Sequence, residues 1–238
     1  MNNGNNDYVN GYVLWYEYPE YGIESNSLWV PLQCGAELTG NYRDDSLRDN
    51  TGDNISNWNQ AYAELTGIYW TWRNRKSDYV LFNQYRRRWE NLHPGFNPKK
   101  FFDDYDAMAT PCIVPTSVEW QFRHFHSDEM YELMKSTVLE MHPDYQKSWI
   151  QHIENNQLLY YSNGMFFRWR DFDAYCNFLF PILDAIRVKL GWNTPEDIDK
   201  PLLFGYISER LYTLWLKHRY TDRRIFKNAY NRLENTEL

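Results

Sequence analysis

The sequence predicts one α/β domain, residues 1–238, built around a largely parallel sheet. Two observations carry this. The short continuous apolar run Tyr79-Val80-Leu81-Phe82 has the pattern of a strand covered on both faces. Such runs alternate with segments whose apolar residues recur every three and four positions, as helices require.

Element by element, residues 12–18 predict a first strand, ended by Pro19. Residues 36–58 are rich in Asn, Asp and Gly and predict a long surface loop, a length usually kept for function. Asn59 is placed to cap a helix over 60–74, whose Ala61, Tyr62, Leu65, Ile68, Tyr69 and Trp72 form one buried face. Gly67, mid-helix, costs ~1 kcal/mol relative to alanine and so predicts a close approach there. The run at 79–82 stops in Asn83-Gln84-Tyr85-Arg86-Arg87-Arg88, and a second run, 105–109, precedes Pro111. A helix over 117–140 follows, then a strand at 158–161, a Ser162-Asn163-Gly164 turn, and extended structure at 165–167. A helix over 172–190 carries Pro181, expected to kink it, and stops at Gly191. A last helix covers about 206–218, with Ser208 as its cap and Glu209 in its first turn. The Asn-rich residues 1–10 are expected to be flexible.

Composition narrows the function. Tyr (20), Trp (11) and Phe (13) make up 18% of the chain, which suits a ligand with polar rings. Cys34, Cys112 and Cys176 are scattered and form no C-x-x-C pair, against a disulfide scaffold or a cysteine zinc site. The start lacks a signal-peptide pattern and no run is long enough to span a membrane, so a cytoplasmic protein is expected. Net charge is −7, yet residues 215–232 hold six cations against one acid, Asp222. Nucleic acid is therefore not an expected partner. The basic segment, 215–238, could touch an anionic membrane surface at the inner face; a solvated last helix is the plainer alternative.

In an open α/β sheet, ligands sit at the carboxyl ends of the strands, which is where Gln84, Arg86 and Arg87 fall. Guanidinium forks match a diphosphate, with at most two of the three arginines reaching it; surface ion pairs with acids such as Asp103 and Asp104 are the alternative. Asp49, Asn50, Asp53 and Asn54 lie in a polar loop able to bind hydroxyls or a ribose. Neither a Walker phosphate loop nor a dinucleotide fingerprint is present. The Asp-x-Asp pairs at 104/106 and 171/173 do not follow the expected strand, and His124 and His126 point to different sides of a helix, so no metal ligand is assigned. Glu209 is a candidate general base with Arg210 as its orienter, and Trp70 or Trp89 a candidate stacking platform.

Several segments in this order resemble a family of bacterial glycosyltransferase-like proteins from capsular and exopolysaccharide clusters, catalogued as a domain of unknown function. They are Val30–Ala36, Arg48-Asp49-Asn50-Thr51-Gly52-Asp53-Asn54-Ile55-Ser56, Glu64–Asn74, Tyr85-Arg86-Arg87, Asn163–Phe166, the Tyr175-Cys176 helix and Gly205–Leu211. The resemblance implies a GT-A-like, Rossmann-like nucleotide-sugar-binding sandwich. It also implies sugar transfer from a nucleotide-sugar donor to a saccharide acceptor, which could be lipid-linked. Catalysis would then fall to Glu209 or Asp53. Donor contacts would come from Arg86, Arg87, Gln84, Asp49, Asn50, Asn54, Arg210 and Glu64. Two positions depart from the family pattern: Tyr16-Glu17-Tyr18 replaces a Thr-His-Lys-like segment, and Gln84 replaces a histidine. Many GT-A enzymes hold Mg²⁺ or Mn²⁺ at the strand end that here carries arginines, so metal-independent transfer is the favoured expectation. A catalytically impaired binding member of the fold and a nucleotide-sugar hydrolase are the alternatives.

Overall fold

The computed structural model describes residues 9–17, 23–40, 42–89, 92–228 and 230–232. Strand β1 (Val9–Trp15) is followed by β2 (Trp29–Gln33) and the two-residue β3 (Leu47–Arg48) inside the predicted loop. Val9 and Asn10, expected to be flexible, already belong to β1, and Tyr18 and Pro19 lie outside the described residues. The predicted 60–74 helix is two helices, α1 (Asn59–Tyr62) and α2 (Leu65–Asn74). The break falls at Ala63, whose φ is 50°. Asn59 does not cap α1; its side-chain amide donates to the Ala63 carbonyl (2.7 Å) and Thr66 Oγ1 (3.1 Å), bracing the break. Gly67 does sit at a close approach, since an added Cβ would lie 2.7 Å from Cys34 Sγ.

Next come β4 (Tyr79–Gln84), β5 (Arg87–Trp89), α3 (Pro98–Asp104) and β6 (Ala107–Ile113), which runs through Pro111 with a register shift. The predicted 117–140 helix divides into α4 (Val118–Phe125) and α5 (Asp128–Met141) because Ser117 and Ser127 each cap a start, accepting from Trp120 N–H (3.0 Å) and Met130 N–H (3.1 Å). A short α6 (Gln146–Trp149) and one π turn, residues 150–154, lead into β7 (Leu158–Arg168). The predicted Ser162-Asn163-Gly164 turn lies inside that single strand. Its positive φ values, 66° at Ser162 and 50° at Asn163, twist β7 without ending it. Helix α7 (Trp169–Lys189) continues through Pro181 and ends at Gly191 (φ 76°), where N–H groups of Gly191 and Trp192 return to the carbonyls of Val188 and Arg187. Helix α8 (Leu203–Arg219), β8 (Ile225–Lys227) and β9 (Tyr230–Arg232) complete the described chain. Helix α8 starts earlier than predicted, from Leu202 at φ 62°, so Ser208 lies within it and Glu209 in its second turn.

The main sheet has the order β3-β2-β1-β4-β7-β6-β8, parallel except for β7; β5 and β9 form a separate antiparallel ribbon. The mixed α/β class with a mostly parallel sheet is as predicted. Alternation along the strands builds a core on each face. Tyr12, Leu14, Val80, Phe82, Met165 and Phe167 pack under the α2, α7 and α8 layer. Val13, Trp15, Leu81, Met108 and Phe166 face the other way, toward Phe102 of α3.

Candidate functional site

From β1 the chain passes to β2 and β3 on one side of the sheet and later to β4 on the other. A crevice forms at the carboxyl ends of strands where the order reverses in this way. A cleft of about 580 Å³ occupies that position. Its floor is Leu14, Trp15 and Tyr16 at the end of β1; Gln84, Tyr85, Arg86 and Arg87 leave β4 on one side. Across from them, the α1–α2 break contributes Ala63 and Glu64, and the first turns of α8 contribute Tyr206 and Glu209.

A hydrogen-bonded network links these walls. Glu64 Oε1 accepts from Gln84 Nε2 (2.9 Å) and from Asn163 Nδ2 (2.9 Å), and Asn163 exchanges bonds with Ser208 Oγ. Gln84 Oε1 in turn accepts from Arg87 Nη1, whose guanidinium lies over the Tyr161 ring. Glu209 Oε1 accepts the Ser162 N–H (2.6 Å), and Oε2 pairs with Arg210 Nη1 (2.9 Å). Burial pushes the Glu209 carboxyl above the usual range, against the opposing pull of Arg210. Arg210 is itself buried and fixed by the Tyr206 carbonyl and Gln121 Oε1. Five described non-glycine residues have positive φ, and four of them serve this cleft. Ala63 and Leu202 line it, while Ser162 and Asn163 hold its two carboxylates. Such conformations cost ~1–3 kcal/mol each and concentrate where a site dictates the backbone.

The structure thus brings together Glu64, Gln84, Arg86, Arg87 and Glu209, with Arg210 behind Glu209. Arg86 is exposed at the rim, bonded through Nε to the Tyr85 hydroxyl (2.8 Å). The polar loop is elsewhere. Asp49 is wholly buried and accepts the N–H groups of Gly35 (2.8 Å) and Ala36 (3.0 Å) and the Ser56 hydroxyl (2.5 Å). Asp53 is exposed and pairs with Arg73 (2.6 Å), Asn50 donates to Glu37 (3.4 Å), and Asn54 closes a local turn on Gly52 and Ser56. None of these four lines the cleft. Trp70 and Trp89 are buried, donating to Thr51 and Thr110, so neither offers a stacking face. In the basic C-terminal segment Lys217 pairs with Asp222, Arg219 with Asp171 and Arg224 with Asp106, while Arg223 and Lys227 are exposed. Nothing in this arrangement identifies a membrane contact, and residues 233–238 lie outside the described ones.

Residues 13–220 match the family described as a domain of unknown function, DUF4422. The chain belongs to this family. A solved structure described as the WbbM bifunctional glycosyltransferase, in its apo form, is similar with a TM-score of 0.78 and 21% identity, over 95% of this chain and 46% of that one. This chain therefore spans under half the length of that protein, and the likeness shows a shared fold. Comparison with curated proteins finds no match.

In this DUF4422 chain the cleft holds two carboxylates, and both accept hydrogen bonds from the protein: Glu64 through Oε1 from two side-chain amides, and Glu209 from a backbone N–H and a guanidinium. Of the two Asp-x-Asp pairs, Asp106 is held by Arg168 and Arg224, Asp171 by arginines, and Asp173 by Trp72 Nε1 (2.8 Å). Among the described residues, no group of three or more His, Cys, Asp or Glu side chains converges. Sequence reasoning did not assign Asn163, Ser208 and Tyr206 to the site. The legible signal for the first was a polar Ser-Asn pair between two apolar strand segments.

Proposed function

We propose that this chain is a glycosyltransferase that moves a sugar from a nucleotide-sugar donor to a saccharide acceptor during synthesis of a surface polysaccharide. The observation that carries the reading is one cleft, at the reversal of strand order, in which a desolvated carboxylate, Glu209, faces a wall bearing Arg86 and Arg87. Cations fixed at that wall would stabilise the charge developing on a departing nucleoside diphosphate, the role that metal ions play in other sites. Gln84 and Glu64 would hydrogen-bond the donor sugar or its phosphate. The acceptor hydroxyl oxygen attacks the anomeric carbon, the bond from that carbon to the diphosphate oxygen breaks, and the diphosphate leaves with the electron pair. The hydroxyl proton passes to Glu209, whose raised pKa brings it nearer the operating pH than an ordinary carboxylate. Arg210 positions that carboxylate.

The test is release of nucleoside diphosphate from a panel of nucleotide sugars, with and without saccharide acceptors, in the presence and absence of EDTA. Acceptor-dependent release that survives EDTA and is lost in Glu209→Gln is the expected result. Binding without turnover would assign a non-catalytic member of the fold. Release at equal rates with and without acceptor would assign a hydrolase.

A further inference from the structure

Glu64 has one oxygen held by the protein and one left open to the cleft. It stands at the N-terminal boundary of α2, where a carboxylate ordinarily accepts from its own helix, yet it makes no such cap. Its Oε1 instead accepts Gln84 Nε2 from β4 (2.9 Å) and Asn163 Nδ2 from β7 (2.9 Å), which occupies both lone pairs of that oxygen. Each amide is itself fixed: Gln84 Oε1 accepts from Arg87, and the Asn163 amide also donates to Ser208 Oγ (2.9 Å). Oε2 is left without a protein partner among the described residues and is not sealed from solvent. Since Glu64 lines the cleft, Oε2 is the oxygen that a ligand meets.

The chemistry and the position of Oε2 select its partner. A carboxylate oxygen only accepts, so the partner must supply a hydrogen, and a phosphate brings like charge instead. Gln84 reaches from the Arg87 guanidinium to Glu64, so a single amide separates the diphosphate wall from this carboxylate. On the other side, consecutive residues of β7 hold the two acids: the Ser162 N–H bonds Glu209 and the Asn163 amide bonds Glu64. The group that meets Oε2 therefore adjoins both the diphosphate and the base. In a nucleotide sugar that group is the transferred ring, whose anomeric carbon is bonded to the diphosphate and is attacked beside Glu209. The ribose, beyond the diphosphate, does not meet the base.

We infer that Glu64 Oε2 accepts a hydrogen bond from one hydroxyl of the transferred sugar, which makes Glu64 a specificity-determining residue selecting donors that carry that hydroxyl. This rests on the transferase reading and narrows it: Glu64 reads the sugar, never its phosphate.

Glu64→Gln isolates the open oxygen. Its carbonyl can keep both anchoring amides, while an NH2 group replaces Oε2 and can no longer accept. Calorimetry without acceptor measures binding of free nucleoside diphosphates, of the matching nucleotide hexoses and of their monodeoxy forms, in EDTA and in Mg²⁺. Thermal melting checks that the variant is folded. In the wild type, loss of one particular hydroxyl should weaken binding about ten- to hundredfold, as for a hydrogen bond to a charged group. In Glu64→Gln the parent sugar should bind as weakly as that monodeoxy form, with nucleoside diphosphate affinity no lower than wild type. Four results overturn the inference and leave the transferase reading standing. They are a wild type indifferent to every hydroxyl, discrimination undiminished in Glu64→Gln, and an equal loss of affinity for nucleotide sugar and free diphosphate. The fourth is discrimination present only in Mg²⁺, which would give Oε2 to a cation. A wild type that binds neither diphosphates nor nucleotide sugars refutes the transferase reading, and the inference with it.

Discussion

Replacing Arg210 with methionine removes the cation behind Glu209 while filling similar space. Arg210 is 1% exposed and gives three hydrogen bonds, to the Tyr206 carbonyl, Glu209 Oε2 and Gln121 Oε1. Breaking a buried pair from one side costs about 3–5 kcal/mol, because the remaining charge stays desolvated. The lower end applies here, since Arg210 Nε is buried without a hydrogen-bond partner and its desolvation is recovered. A loss of about 3 kcal/mol, with a urea slope of about 3 kcal/mol/M, moves the unfolding midpoint by about 1 M. The double variant Arg210→Met/Glu209→Leu removes both charges and should lose much less than the sum of the single losses. Arg210→Met alone also removes the pull that opposes Glu209's upward shift, so the acid limb of its pH–rate profile should move to higher pH. Additive single and double losses, or an acid limb that stays in place, would refute the coupling.

Other expectations are checked independently. His126, with its pKa lowered to about 4 by burial and Arg210, should show no imidazole titration by NMR between neutral pH and pH 5. Its contribution to stability is complete above about pH 6.5 and declines as pH falls from there toward 4; a midpoint near 6.5 would contradict this. In Gly67→Ala the new Cβ would meet Cys34 Sγ at 2.7 Å and Leu14 Cδ2 at 3.1 Å. Crowding of about 1–3 kcal/mol outweighs the ~1 kcal/mol gain in helix propensity, so urea unfolding should show a net loss. Asp53→Asn removes the charge of the exposed pair with Arg73 and perturbs an exposed hydrogen bond from the Tyr69 hydroxyl, so it should leave transfer intact and change stability by less than about 1 kcal/mol. Loss of transfer there would return Asp53 to candidacy as the base.

The parts of the fold that local pattern determines were legible. Strand β4 and helix α7 stand close to where a continuous apolar run and helical spacing place them, β1 begins three residues before its predicted start, and Gly67 marks a genuine close contact. The misplaced boundaries are those set by tertiary contacts. Ala63 breaks a helix that periodicity alone would continue, so that Glu64 can face Gln84 and Asn163. Ser162 and Asn163 have turn composition, yet the partners on either side keep β7 continuous and convert the turn into a twist. Gln84, Arg86 and Arg87 were legible because a polar segment following a buried strand must emerge at the sheet's ligand-binding end. Glu209 was reached through a helix start placed several residues too late. The Asp49–Asn54 loop looks like a binding loop in composition, yet its polar groups largely satisfy one another and the neighbouring backbone.

Calorimetric titration of nucleoside diphosphates into the wild type, Arg86→Ala and Arg87→Ala tests the central claim most directly. Saturable binding by the wild type, weakened about tenfold or more in at least one variant at unchanged melting temperature, is the predicted result. No binding of any nucleoside diphosphate, or full affinity in both variants, would contradict it.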